Sequence, residues 1–166
     1  MCRTYTGYDI NGFGQLKDGR GNICPVTIIL PTLAMQATEK DMDNCVEEFM
    51  KLLEIKIEEA KDMLIERYEY ICSQPVESAL FMYENNTMAG YIPEEGIRSA
   101  LKHGSLAVGQ IGLAETLQIL IGKNHTTKEG MELAKRIEQL FKDKCAYYKQ
   151  KYKLNIGVYY SPKCNI

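Results

Sequence analysis

The strongest constraint in this sequence is a run of apolar residues between Thr38 and Cys72. Met42, Val46, Phe49, Leu53, Ile57, Ala60, Leu64, Tyr68 and Ile71 recur every three or four positions. That spacing is the period of one helix face, and the glutamates and lysines between them make the opposite, solvated face. Held without a break, the pattern predicts a helix over 39–72 of roughly nine turns and about 50 Å. A helix of that length needs a larger body to lie along, or a partner, to cover its apolar stripe. Thr38 or Asp41 is placed to cap it.

Around this helix the chain alternates between strand and helix signals. CPVTIIL (24–30) is a short β-branched run and reads as a buried strand. Pro25 belongs at its start, where a missing N–H costs least. Pro31 ends it and opens a short helix in PTLAMQA. Gln74-Pro75 breaks the long helix, and 76–84 reads as a helical turn or short strand. Pro93-Glu94-Glu95 reads as the first turn of a helix running to His103, with acidic residues favoured by the helix dipole. SLAVGQIG is small and apolar. LAETLQILIG is a buried helix ended by Gly122, and Asn124–Thr127 is a loop with a cap. Lys128–Lys151 is a second amphipathic helix, LNIGVYY a final strand and SPKCNI a terminal loop. The order loop–β–α–α–α–β gives an α/β, helix-rich chain with few strands. Two isolated strands make a poor sheet, so the pattern is that of a single domain, 1–166, cut from a larger α/β body.

A net charge of -2 gives no basic footprint for nucleic acid. No apolar run approaches the roughly 18 residues of a membrane span, and no signal-peptide core opens the chain. A cytoplasmic location with reduced thiols is therefore expected. The six cysteines, at 2, 24, 45, 72, 145 and 164, include no local C-x2-C pair, so no zinc site is expected and the metal expectation is none. Cys45 and Cys72 lie in helical pattern and read as small core residues. Cys2, Cys24 and Cys164 lie outside the long helices and stay open to chemistry. Cys2 has Arg3 beside it and a glycine-rich tract behind it, a setting that could tune an exposed thiol.

Three other features carry candidate chemistry. GRGN (19–22) could present backbone N–H groups and Asn22 to a polar ligand, although it is neither a Walker A loop nor a dinucleotide fingerprint. Glu115 is the only acid between Glu95 and Glu129, within an apolar stretch. It reads either as a buried structural anchor or as a functional carboxylate. His103 and His125 stand at element ends with no metal-ligand spacing. The tyrosine pairs 147–148 and 159–160 read as edges of the core.

Taken together, CRTYTGYDINGFG…GRGNICPVTIILPTLAM, GSLAVGQIGLAETLQILIG and KLNIGVYYSP resemble the central catalytic region of anaerobic (class III) ribonucleoside-triphosphate reductase, a glycyl-radical enzyme. The resemblance runs in order across almost the whole chain. It implies about half of a glycyl-radical-type α/β barrel, with residues 1–22 as part of a finger loop. It implies reduction of ribonucleotides to deoxyribonucleotides by thiyl-radical chemistry, in the service of DNA replication. Cys2 corresponds to the cysteine that becomes the thiyl radical and Asn22 to the active-site asparagine that contacts the ribose. Ser161 lies in YYSP, which is similar to the family's YSTPAE segment and so corresponds to a substrate-phosphate site; Glu115, in the GQIGLAE block, joins it as a substrate-binding residue. The resemblance implies no cofactor held by these residues themselves. The family's glycyl radical is made by an S-adenosylmethionine iron–sulfur activating enzyme, and no R-V-x-G-Y-like context for it occurs in this sequence. The isolated chain is therefore expected to be inactive or incomplete. Expected partners are a ribonucleoside triphosphate, the activating enzyme and a second copy of the chain, with neither membrane nor nucleic acid. The alternative is a non-catalytic, self-associating helical module derived from the same barrel. A pyruvate formate-lyase-like enzyme is disfavoured, because Cys2 has no adjacent cysteine.

Overall fold

A computed structural model describes residues 6–160. Among them, three strands form one parallel sheet in the order β1-β2-β3. These are β1 (Asn22–Ile29), β2 (Ser105–Ile111) and β3 (Asn155–Tyr160). All the strands point the same way, and Asn22, Ser105 and Asn155 stand in register at the amino edge.

The central strand is the largest departure from the sequence reading, which found two strands and left SLAVGQIG unassigned. From Ser105 to Gln110 every residue of β2 is buried. A strand covered on both faces loses the alternation that marks a half-exposed one. Gly109 and Ala107 then weaken the β-branched signal that remains. With β2 between them, the two outer strands are no longer isolated.

The long helical pattern divides. Helix α1 (Leu30–Lys40) follows β1 directly, with proline in its first turn as expected. Asp41 ends it with a backbone N–H to the Ala37 carbonyl. The Asp41 carboxylate then accepts the Asn44 N–H at 3.1 Å, and α2 (Cys45–Cys72) begins. Asp41 therefore makes the break instead of capping one helix. Thr38 sits inside α1, donating its hydroxyl to the Met35 carbonyl at 2.8 Å. Met42, counted on the apolar face, is 73% exposed in the break. From Cys45 onward the stripe is real: Phe49, Leu53, Ile57 and Leu64 are fully buried. Each such side chain stabilises the fold by about 2 kcal/mol.

After α2 the chain makes a 3-10 turn at Val76–Ala79 and a short helix, α3 (Leu80–Glu84). The helix expected from Pro93 to His103 is interrupted. Pro93–Glu95 form a 3-10 turn, Gly96 adopts φ +70°, and only α4 (Arg98–Leu101) is α-helical. Helix α5 (Leu113–Ile121) ends at Gly122, as read from the sequence. Helix α6 (Lys128–Tyr152) starts at Thr127, whose Oγ1 accepts the Gly130 N–H at 3.1 Å. Helices α2 and α6 cover one face of the sheet. Cys24, Ile28, Leu106, Val108 and Ile156 pack there with Phe49, Ile137 and Phe141. Pro25 is exposed on β1, an outer strand, where an absent N–H is tolerated. No helix among the described residues is long and apolar enough to cross a membrane.

Candidate functional site

The loop 6–21 carries five glycines and no apolar periodicity, yet it is tied firmly to the amino edge of the sheet. Asp9, 1% exposed, is the centre of the tie. Its Oδ1 accepts the Asn11 N–H at 2.9 Å and the Asn155 side-chain amide at 2.7 Å. Its Oδ2 accepts the Phe13 N–H at 2.9 Å and lies 2.7 Å from His103 Nδ1. A carboxylate can only accept, so the His103 proton sits on Nδ1. Burial pushes the Asp9 carboxyl up, but the four hydrogen bonds outweigh it and hold the group well below the usual carboxylate range.

Asn155 completes the circuit. Its Oδ1 accepts the Ile10 N–H at 3.0 Å, so the first residue of β3 fixes the loop from both ends of its amide. The His103 ring stacks on Phe13 with centroids 3.9 Å apart. Gly90 lies beside the stacked pair, where any Cβ would come within 2.9 Å of the imidazole Cδ2 and Nε2 and 3.1 Å of the Phe13 ring. Arg20, 9% exposed, gathers three backbone carbonyls: His103 at 2.7 Å, Leu16 at 2.6 Å and Gly7 at 2.9 Å. The guanidinium of GRGN thus turns inward. Lys149 from α6 donates to the Tyr8 carbonyl at 2.8 Å. Burial among these groups lowers its pKa, with Asp9 opposing the shift and Arg20 adding to it.

At the opposite, carboxyl edge, two helices begin beside one another. Helix α1 follows β1 without a gap, and α5 follows β2 after the single residue Gly112. Gly112 has φ +83°, and a Cβ there would lie 2.4 Å from Pro31 Cγ. Only glycine lets the two helix starts approach this closely. Helix starts at the carboxyl ends of parallel strands attract anions, because first-turn N–H groups point outward with the positive end of the helix dipole.

Among the described residues, the two predicted site residues, Asn22 and Glu115, stand apart. Asn22 is half-buried at the start of β1, beside the Asp9 network. Glu115 lies in the first turn of α5, at the far end of β2, about 20 Å away at roughly 3.3 Å per strand residue. It is exposed, not the buried carboxylate that its apolar neighbours led one to expect; Ala114 and Glu115 face solvent while Thr116 and Leu117 turn inward. Cys2 and Ser161 lie outside the described residues. Cys24 is a core residue, 5% exposed on β1, with its thiol pKa raised by burial. Cys45 is buried as expected, while Cys72 is only half-buried. Tyr148 is buried with its hydroxyl on Glu58, whereas Tyr147 is 58% exposed. Among the described residues no group of three His, Cys, Asp or Glu side chains could hold a metal ion.

Asp9, Arg20, His103 and Asn155 were not singled out by the sequence as a set. They come from three separate stretches, the loop 6–21, the turn before β2 and the start of β3, and single polar residues in loops carry no periodicity. The one available hint is an Asp-x-Asn step inside a glycine-rich loop, the composition of a side-chain-closed turn.

A family model described as anaerobic ribonucleoside-triphosphate reductase matches residues 1–165. The anaerobic ribonucleoside-triphosphate reductase of Haemophilus influenzae is 27% identical over 128 residues, 75% of this chain and 17% of its own length. That of Salmonella typhimurium is 25% identical over 159 residues, 88% of this chain and 22% of its own. The chain therefore spans about a fifth of the length of these curated relatives. Among solved structures, the anaerobic ribonucleotide reductase from Thermotoga maritima in complex with dATP and CTP superposes with a TM-score of 0.66. The identity is 18%, over 95% of this chain and 24% of that one. The same enzyme with dATP in its specificity site gives 0.65 at 19% identity, over 93% and 24%. At this identity the likeness is one of fold.

Proposed function

The chain belongs to the anaerobic ribonucleoside-triphosphate reductase family, and on that premise we propose that it forms part of a catalytic core reducing ribonucleoside triphosphates to deoxyribonucleotides. The supporting observation is that one family model matches the chain from residue 1 to residue 165. In this reading the loop 6–21 is one arm of the segment that carries Cys2, the thiol that becomes the radical. Asn22, at the head of β1, meets the ribose. Glu115, in the first turn of α5 at the carboxyl edge, lies about 20 Å from Asn22, farther than a triphosphate extends from its ribose, and is given no contact with the same nucleotide. The sheet is a portion of a glycyl-radical-type barrel, whose remaining strands pair with the outer edges of β1 and β3.

The sequence holds no glycine in an R-V-x-G-Y-like context, so no step through a glycyl radical is assigned to these residues. The activating enzyme and a second copy of the chain are the protein partners this reading requires.

Thermal melting with and without CTP or ATP tests it, with the corresponding nucleosides as controls. A triphosphate at a hundredfold its Kd stabilises the chain by about 2.7 kcal/mol. That raises Tm by roughly 5–10 °C at this chain length. Identical melts with triphosphate and nucleoside would remove the substrate assignment. Incubated with activating enzyme, S-adenosylmethionine and formate, the chain alone is expected to yield no deoxynucleotide.

A further inference from the structure

We propose that Asp9, Arg20 and His103 are positioning residues, fixing the arm that carries Cys2 against the strand that begins at Asn22. The inference rests on the functional reading above and concerns side chains to which neither the family match nor the sequence assigns a role.

The geometry is specific to that task. Arg20 lies two residues before Asn22, and its guanidinium reaches back to Gly7, five residues after Cys2. The same guanidinium holds the His103 carbonyl, just before β2. One side chain therefore joins the Cys2 arm, the Asn22 arm and the central strand. Asp9 supplies a second tie on the same arm, through His103 and Asn155.

A network serving stability alone could sit anywhere in the molecule. This one closes a glycine-rich loop on both of its arms, and it uses buried charged groups where apolar packing would stabilise as well. Buried polar networks of this kind define a unique arrangement when every member is satisfied. Asp9 has four donors and Arg20 three acceptors.

The test follows the rate at which Cys2 is alkylated in the native chain. Mass spectrometry separates it from Cys164, the internal reference at the other terminus. Asp9→Asn keeps the shape but brings N–H groups against donors. Arg20→Gln removes the link to Gly7. Phe13→Leu, which removes only the ring stack on His103, is a milder third variant should either of these fail to fold. The expected result is at least a threefold change in the Cys2:Cys164 rate ratio for the folded clamp variants. Leu117→Ala, a core variant that lowers Tm without touching the loop, is expected to leave the ratio unchanged. Ratios within twofold of wild type in every folded clamp variant would overturn the proposal, as would an equal change in Leu117→Ala. Nucleotide-dependent melting is read on the same preparations. Failure of the substrate assignment and failure of the clamp therefore appear in different measurements.

Discussion

Gly112→Ala is the substitution whose consequence is best defined by the structure. Two costs combine. The residue sits at φ +83° and ψ +29°, where an L side chain costs about 1–2 kcal/mol. The new Cβ would also lie 2.4 Å from Pro31 Cγ and 2.5 Å from Pro31 Cδ. A proline ring in the first turn of α1 cannot swing aside, so the helix starts must separate, an overpacking cost of about 1–3 kcal/mol. The total expected loss is about 3 kcal/mol. Gly122→Ala provides the control, because Gly122 has φ +63° and nothing within 4 Å of its would-be Cβ. It carries only the first cost, about 1 kcal/mol. Urea denaturation followed by far-ultraviolet circular dichroism gives both values. In thermal melts the two variants should fall by roughly 6–12 °C and 2–4 °C respectively. Adding Pro31→Ala to Gly112→Ala should recover part of the difference. If the two glycine variants lose the same stability within about 0.5 kcal/mol, the close approach of α1 and α5 does not exist as described.

Asp9→Ala leaves His103, Asn155 and two backbone N–H groups without their buried acceptor, and equilibrium denaturation should show a loss of about 3–5 kcal/mol. Because the Asp9 pKa is depressed in the fold, its contribution is complete above the unfolded value of about 4 and fades as pH falls below that. Wild-type stability measured from pH 5 down to pH 2 should therefore drop more steeply than that of Asp9→Asn. Thr127→Ala removes the cap of α6 and should cost about 1 kcal/mol, read from the urea midpoint. Burial pushes the Cys145 thiol up to about 12. Iodoacetamide at neutral pH should leave Cys145 and Cys24 unmodified in the native chain and label both in urea.

How much of this was legible in the sequence depended on the kind of signal. Apolar periodicity located α5, α6 and most of α2, because burial on one face of a helix writes a regular pattern. It overran the break at Asp41–Asn44, since Met42 keeps the rhythm while standing in solvent. It failed on β2, where burial on both faces erases alternation and close packing calls for Ala107 and Gly109. Punctuation by proline and glycine was more dependable: Pro31 opens α1 and Gly122 closes α5. The Asp9 network lay beyond any local reading, because its four side chains meet only when the sheet has formed. Glu115 shows the converse error. Apolar neighbours in sequence implied burial, but a first-turn position on a helix at the sheet's rim is open to water.

The parallel sheet also sets the order in which the chain can assemble. Asn22 pairs with Ser105 and Ser105 with Asn155, so no strand can pair with a near neighbour in sequence. Each ladder closes a loop of some fifty residues or more, and the entropy of closure is lost before any ladder bond forms. Helices α2 and α6, whose contacts are local, can form first and offer an apolar surface on which the strands align. Such a topology folds slowly compared with a helical bundle of equal size. Until β2 inserts, β1 and β3 are unpaired edges exposed to other chains. Refolding yield should therefore fall as protein concentration rises, and the limiting event should be the arrival of the central strand.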